Sequence, residues 1–502
     1  MGKSKKSSII ILLMLIAAVL SCCGLWRADG MEEKELKLLS DKDVGDRFYQ
    51  NPVGNIFNIG DPFVLKASDG KYYCYPTSWN MGFKAWESAD MVNWYDIGPV
   101  YKGYTSWGTL DFWAPEVVEY NGRYYMYYTA RWKENKSLRI GVAVSDSPKG
   151  PFKDVYDHPM FDFGYAVIDA NILIDEDGKK FMYYSRDCSE NIVDGKHESH
   201  IYGIELNDDM ISVKGEPVLL TRPDQGWEKY SGNDWRWNEG PTVFKRNGKY
   251  YLMYSANFYA SKMYSIGYAT SDSPLGKYEK YENNPILESE ITWKHVSGPG
   301  HNSIAASPDG SELFIVYHTH TNPKEGGGNR QIFIDRMGFR KDGSIYVNGP
   351  SVTQQLMPSG AMEYTNIAKT SVITTSSEKE GFKKDFLIDG EIGIYAKFGE
   401  NQWVGTTDKG SVWIKMEWDK NQKMSGVLIY NSALINTKLN SCKLVFSNGY
   451  VVSKLDFPQE PGAAATACFE EMEVKWVRIE LGASGDSREI GLSEIVVIGK
   501  KQ

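Results

Sequence analysis

Residues 237–257, WNEGPTVFKRNGKYYLMYSAN, decide how the rest of the chain is read. A carboxylate, Glu239, heads the stretch, an apolar run leads to Asn247-Gly248, and an aromatic-rich run over 250–254 follows. Asn-Gly between two short hydrophobic runs is a strong hairpin signal. Set on its turn glycine, the unit occurs five times: residues 61–70 (DPFVLKASDG), 113–122 (WAPEVVEYNG), 169–178 (DANILIDEDG), 239–248 (EGPTVFKRNG) and 301–310 (HNSIAASPDG). In each copy the first residue lies nine positions before the glycine, and successive glycines are 52, 56, 70 and 62 residues apart. Periods of that size, with several strands per unit, predict an all-β fold built on a five-bladed β-propeller. Radial packing aims the head of each innermost strand at one axis, so Asp61, Trp113, Asp169, Glu239 and His301 are expected to meet there. Three acids, an indole and an imidazole are the composition of an active site, not of a core.

At 502 residues the chain has room for two or three domains. Aromatic residues make up 13%, with 32 Tyr and 15 Trp, which suits a protein that stacks on sugar rings and equally suits β structure that packs on rings. The net charge of −9, with no long basic run beyond the first six residues, argues against nucleic acid or an anionic membrane surface as a partner.

The N-terminus reads as a processing segment. Lys3, Lys5 and Lys6 precede an apolar run over 9–20, which is short for a membrane span. The run ends in Val19-Leu20-Ser21-Cys22, which is similar to a bacterial lipobox with Cys22 as the lipidated residue. An ordinary cleaved secretory signal is the alternative. Residues 1–22 are thus expected as a lipoprotein signal peptide and 23–50 as a tether. The mature protein is then secreted, as a periplasmic or cell-surface lipoprotein whose membrane contact is the lipid anchor alone. Six cysteines in this length do not make a disulfide framework. Cys442 and Cys468 share the C-terminal domain, where pairing in an oxidising compartment stays open. No CxxC or HExxH occurs, which argues against zinc chemistry.

The propeller is expected over 51–358. Near-copies of an outer turn, Ser145-Asp146-Ser147-Pro148 and Ser271-Asp272-Ser273-Pro274, support the repeat. Residues 186–238, charged and rich in Trp, read as a long insert building a binding rim ahead of Glu239. Composition shifts near Ser359, and short strands expected at 411–418, 425–430, 441–446, 474–481 and 489–498 predict a C-terminal β-sandwich over 359–502.

Paired carboxylates in one pocket are what glycoside hydrolysis needs: one ionised to activate water, the other protonated to serve the leaving oxygen. A third carboxylate nearby raises the pKa of the acid by repulsion. On these residues the chain resembles glycoside hydrolase family 43, five-bladed propellers with an Asp base, an Asp pKa modulator and a Glu acid. The matching positions are Asp61 in Gly60-Asp61-Pro62, Asp169 in Val167-Ile168-Asp169 and Glu239 in Asn238-Glu239-Gly240-Pro241. The resemblance further implies that Trp113, in Trp113-Ala114-Pro115, lines the sugar subsite, that Arg330 lies near the substrate, and that His301 is the axial histidine associated with a structural calcium. It requires no cofactor. The implied activity is an inverting glycosidase on an oligo- or polysaccharide of plant-type pentoses, α-L-arabinofuranosidase first and β-xylosidase or another furanosidase second, acting as a monomer. A surface glycan-binding lipoprotein that has lost catalysis is the competing reading, and it predicts a missing acid. Glu116 is expected to be structural. Trp107, Trp227, Trp235 and Trp237 each admit two readings, sugar platform or packing. The C-terminal domain resembles discoidin-like (coagulation factor type C) sandwiches through Leu387-Ile388-Asp389-Gly390 and Gly491-Leu492-Ser493-Glu494-Ile495, and is expected as an accessory brace.

Overall fold

The structure, a computed structural model, describes residues 33–230, 234–289, 294–394, 401–407, 411–434, 437–482 and 488–500. The signal segment and Cys22 lie outside these residues. Among the described residues helix is confined to one α-turn, Asp41–Val44, and short 3-10 turns; the rest of the regular structure is β.

Five antiparallel units of four strands form the propeller. Blade 1 is Phe57–Lys66, Tyr72–Thr77, Gly82–Ser88 and Trp94–Lys102; blade 2 is Trp113–Tyr120, Arg123–Arg131, Leu138–Ser145 and Lys153–Asp154. Blade 3 is Val167–Ile174, Lys180–Arg186, His200–Leu206 and Val213–Thr221; blade 4 is Asn238–Arg246, Lys249–Ala256, Ser265–Ser271 and Glu279–Lys280; blade 5 is Gly300–Ala306, Leu313–His320, Arg330–Phe339 and Ile345–Val347. Much of 186–238, read from sequence as a loop insert, therefore forms the two outer strands of blade 3. What remains beside it is a small sheet of Ile192–Val193, Lys196–Glu198 and Trp235–Arg236.

The aromatic second strands carry 13 of the 32 tyrosines. Tyr75, Tyr127 and Tyr183 occupy the same place in blades 1, 2 and 3, fully buried. Each hydroxyl donates to an outer-turn carbonyl of the next blade: Pro148 at 2.6 Å, Met210 at 2.5 Å and Pro274 at 3.1 Å. A buried phenol brings a large apolar ring to the core and needs one partner for its O–H; the recurring Ser-Pro turns supply it in two blades. The ring closes between blades 5 and 1, where Arg330 pairs with Ile59 and Gln331 with Phe57. Phe48–Tyr49 pairs with Gln355–Leu356 across the same seam, and Asn51 stitches it by bonding both backbone groups of Ile334.

The C-terminal domain wraps one core in two layers. A single strand, Val412–Asn431, serves both: its first part pairs with Val372–Thr375 and its last part with Glu489–Lys500. Sequence patterning splits it into two strands at the polar stretch Asp419-Lys420-Asn421; the structure instead carries the chain through on a bulge between Glu417 and Gln422, the usual device where a strand changes sheets. Lys34–Glu35 adds a parallel edge strand to Tyr450–Asp456, so the segment ahead of the propeller is paired to this domain. Cys442 and Cys468 are both buried and carry no disulfide between them. The two domains meet where Arg340 forms an ion pair with the buried Glu391, and where the Asn348 side chain bonds Gly390 O and Ile392 N.

Candidate active site

All five first strands approach the axis with one local conformation. Each carries a left-handed residue, Asp61 (φ 51°), Ala114 (φ 45°), Asp169 (φ 60°), Gly240 (φ 56°) and His301 (φ 50°), at a bulge where pairing to the second strand breaks and resumes two residues later. Trp113 and Glu239 thus stand one residue ahead of Asp61, Asp169 and His301, not level with them as counting from the turn glycine implies. The cause is turn length. Blades 2 and 4 use two-residue Asn-Gly turns, with Tyr120 paired to Arg123 and Arg246 to Lys249. Blades 1 and 3 spend one more residue in the turn, the N–H groups of Ala67 and Asp175 donating to the carbonyls of Lys71 and Lys179. The equal count to glycine therefore hides a one-residue difference along the strand. At blade 4 the left-handed position is a glycine, and a Cβ on Gly240 would lie in tight contact with the His301 ring, at 3.1 Å.

The bulges expose backbone groups, and the preceding blade satisfies them. The N–H of Ala114 donates to Thr77 Oγ1 (2.7 Å), that of Asp169 to Thr129 Oγ1 (3.1 Å) and that of His301 to Ser255 Oγ (2.7 Å), while Ser185 Oγ donates to Asn238 O (2.9 Å). At the fifth such position the hydroxyl is replaced by an imidazole: Asp61 N donates to His318 Nδ1 at 3.2 Å.

Around this frame the three acids sit in opposed environments. Asp61 accepts from Arg330 Nη1 at 2.9 Å and from Thr77 Oγ1 at 2.6 Å, with His301 Nδ1 3.3 Å away. Burial opposes its ionisation, but Arg330 above all, then the two histidines and the Thr77 hydroxyl, outweigh it and hold the carboxyl far below the usual range. Gly60 makes room for this contact, because a side chain there would overlap the Arg330 guanidinium. Glu239 is 8% exposed, and Tyr264 O–H donates to it at 2.8 Å. Burial first, then the charge of Asp169, raise its pKa well above the carboxylate range, and Asp187 and Asp61 add to the push. Asp169, 6% exposed, accepts from Gly240 N at 3.0 Å and is itself raised, chiefly by burial. One carboxylate is thus kept ionised and another kept protonated at one hub, the division of labour an acid–base pair requires.

Of the other expected residues, Trp113 lies half-buried against Leu138, Ala166 and Ile168. It lines a cleft of about 380 Å³ together with Trp79, Leu110 and Arg330. Glu116 points away from this mouth: it is 7% exposed and accepts from Asn171 Nδ2 (2.9 Å) and Ile172 N (2.7 Å), clamping blade 2 to blade 3. Trp107 and Trp227 are core residues at 1% and 7% exposure, whereas Trp235 is exposed and Trp237 half-buried on the segment that leads into Glu239. Beneath the acids all of the blades line a small cavity of about 20 Å³ that includes His301 and Asn302. Among the described residues no three His, Cys, Asp or Glu side chains are grouped to hold a metal ion. Sequence reading missed Thr77, Tyr264, His318 and Asp187. The first and third were within reach, since Thr, Thr, Ser, Ser and His recur at one place in the second strands; Tyr264 and Asp187 carry no repeat signal.

The glycosyl hydrolases family 43 model matches residues 49–345. The chain belongs to that family. This family-43 protein is accordingly a glycosidase, a hydrolase of O-glycosyl bonds. It is 29% identical over 320 residues to a beta-D-galactofuranosidase of Aspergillus niger, covering 59% of this chain and 82% of that one. It is likewise 29% identical over 323 residues to a xylosidase/arabinosidase of Bacteroides ovatus, covering 57% and 94%. Among solved structures, a thermostable family-43 glycoside hydrolase aligns with a TM-score of 0.60 and 52% identity over 62% of this chain and 99% of the other. An endo-1,4-beta-xylanase of Bacteroides thetaiotaomicron aligns at 0.52 with 32% identity over 59% and 97%. Residues 366–498 match a domain of unknown function (DUF7402).

Proposed function

We propose that this glycosidase is an inverting enzyme that removes α-L-arabinofuranosyl units from plant-type pentose glycans, with β-xylosides as the second substrate class. Asp61 is the general base: its ionised carboxylate takes a proton from the water that attacks the anomeric carbon. Glu239 is the general acid and gives its proton to the departing glycosidic oxygen. Asp169 keeps that proton on Glu239 by its charge and holds the sugar; Trp113 and Arg330 line the sugar subsite. Inversion calls for the two working carboxyls to stand ~6.5–9.5 Å apart, leaving room for the water. The observation that carries this reading is the contrast between Asp61, held ionised by Arg330, and Glu239, held protonated by burial beside Asp169. The pentose and furanose preference is supported by the names of the relatives, which act on galactofuranosides, xylosides and arabinosides.

No cofactor is needed for these steps. The axial cavity suits a hydrated calcium in one respect, since Asn302 Oδ1 is buried there without a hydrogen-bond partner. His301 and Asn302 would hold the ion, and its charge would reinforce the ionisation of Asp61. We further propose that the C-terminal domain is a discoidin-like brace, and that the protein is a monomeric secreted lipoprotein held to the membrane through Cys22. A screen of nitrophenyl α-L-arabinofuranoside, β-D-xyloside and β-D-galactofuranoside tests the substrate. Turnover of the arabinofuranoside with an initially inverted anomer by NMR is the expected result; retention of configuration, or no turnover of any of the three, overturns the proposal.

A further inference from the structure

Aromatic side chains beyond the sugar subsite form a continuous strip that ends at the base. Trp235 lies flat on His197, ring centroids 4.0 Å apart and planes 2° from parallel. From there Trp235 meets Trp237 at 6.2 Å, Trp237 meets Phe258 at 5.4 Å, and Phe258 meets Tyr259 at 4.8 Å. The Tyr259 ring lies 4.7 Å from the guanidinium of Arg330, the group that holds Asp61. Both halves of the strip flank the acid: Trp237 is two residues ahead of Glu239, and Phe258 follows the strand whose Ser255 pairs with Glu239.

The strip is exposed yet held in place. Trp235, Phe258 and Tyr259 are 36%, 41% and 37% exposed, a contiguous apolar surface of the kind that marks a binding site. Trp235–Arg236 is pinned by parallel pairing to Lys196–Glu198, and His197 bonds Cys188 O at 2.9 Å. Asn257 ties the other half to Trp227 O (2.9 Å) and Met263 O (3.0 Å), and His320 Nε2 contacts Tyr259 O at 2.9 Å. Rings fixed in this way bind with little ordering cost.

We propose that Trp235, Trp237, Phe258 and Tyr259 form a rail for the main chain of a branched polysaccharide, so that the enzyme trims side units from a polymer lying across its mouth. The inference rests on the glycosidase reading above. A single leaving sugar next to Glu239 reaches only the near end of the strip; Trp235, two ring contacts beyond Phe258, is touched only when several sugar units follow. Flat rings offer the C–H faces of neutral sugars an apolar partner. The net charge of −9 disfavours a stacked nucleic-acid strand in the same place.

The test compares the wild type with a Trp235→Ala/Phe258→Ala double variant and a Trp235→Phe/Phe258→Tyr control. The readout is kcat/KM on soluble arabinoxylan divided by that on a nitrophenyl glycoside, which also normalises for folding. The double variant is expected to lower this ratio about tenfold, with the aromatic control restoring it. In parallel, Glu239→Gln protein should be retarded in gels containing arabinoxylan, and the retardation should be lost when the two alanines are added. An unchanged ratio with unchanged retardation overturns the rail. Retardation lost with the alanines, in a protein whose wild type cleaves no glycoside, overturns the glycosidase reading instead and leaves the rail standing.

Discussion

Arg330 Nη1 donates to Asp61 Oδ1 at 2.9 Å, so the third strand of the last blade fixes the charge state of a carboxylate in the first. The contact lies at the seam where the ring closes, with Arg330 paired to Ile59 two residues ahead of Asp61. Closing the fold and ionising the base are therefore one event.

Removing that cation tests the coupling. Arg330→Gln leaves Asp61 buried with only Thr77 and the histidines for support, and its pKa rises. The acidic limb of the kcat/KM–pH profile should move to higher pH, and kcat/KM near neutrality should fall by about 10²–10³. Arg330→Lys should rescue only in part, because a point charge on a flexible stem does not reproduce the planar fork. A profile that keeps its acidic limb would assign the ionisation of Asp61 to the histidines.

Asp169 acts on the other limb. Its negative charge raises the pKa of Glu239, second only to burial. Asp169→Asn removes that charge, so the pKa of Glu239 drops and the alkaline limb should shift to lower pH. The pH dependence of kcat/KM measures this directly; an alkaline limb that stays put shows that burial alone sets the acid.

Glu116 predicts a stability effect apart from the chemistry. Burial pushes its carboxyl up to about 8 despite bonds from Ile172 N and Asn171. A carboxyl whose pKa is higher folded than unfolded contributes stability fully below its unfolded value and loses it as pH rises through its folded one. The melting temperature should accordingly fall between about pH 4.5 and pH 8, and Glu116→Ala should destabilise by about 2–4 kcal/mol by leaving buried donors unpaired. Thermal unfolding across that range, wild type against variant, checks both statements.

How far the sequence could be read follows from what repeats. The period of the turn glycines exposes the five blades, and the acids at the strand heads expose the site, because every blade solves the same packing problem in the same order. The one-residue offset of Glu239 and Trp113 is hidden because an Asn-Gly turn and a three-residue turn end on the same glycine while consuming different lengths of strand. Tyr264 and Asp187 escape because each acts on Glu239 from one blade only, Tyr264 through a hydrogen bond and Asp187 through its charge, with no counterpart elsewhere. The strand Val412–Asn431 reads as two because its bulge is as polar as a turn. Tyrosine content in composition suits sugar platforms and β packing alike; Tyr75, Tyr127 and Tyr183 are buried struts between blades, whereas Trp235, Phe258 and Tyr259 are exposed in the small sheet and loop that flank the strand of Glu239.

The claim that Asp61 and Glu239 divide base and acid between them is tested most directly by leaving-group dependence. Asp61→Asn and Glu239→Gln are assayed on an unactivated glycoside and on a dinitrophenyl glycoside of the same sugar, whose leaving group needs no proton. Glu239→Gln should lose about 10³-fold or more in kcat/KM on the first and far less on the second, while Asp61→Asn loses heavily on both. Equal losses for Glu239→Gln on the two substrates, or unimpaired turnover by either variant, would contradict the assignment.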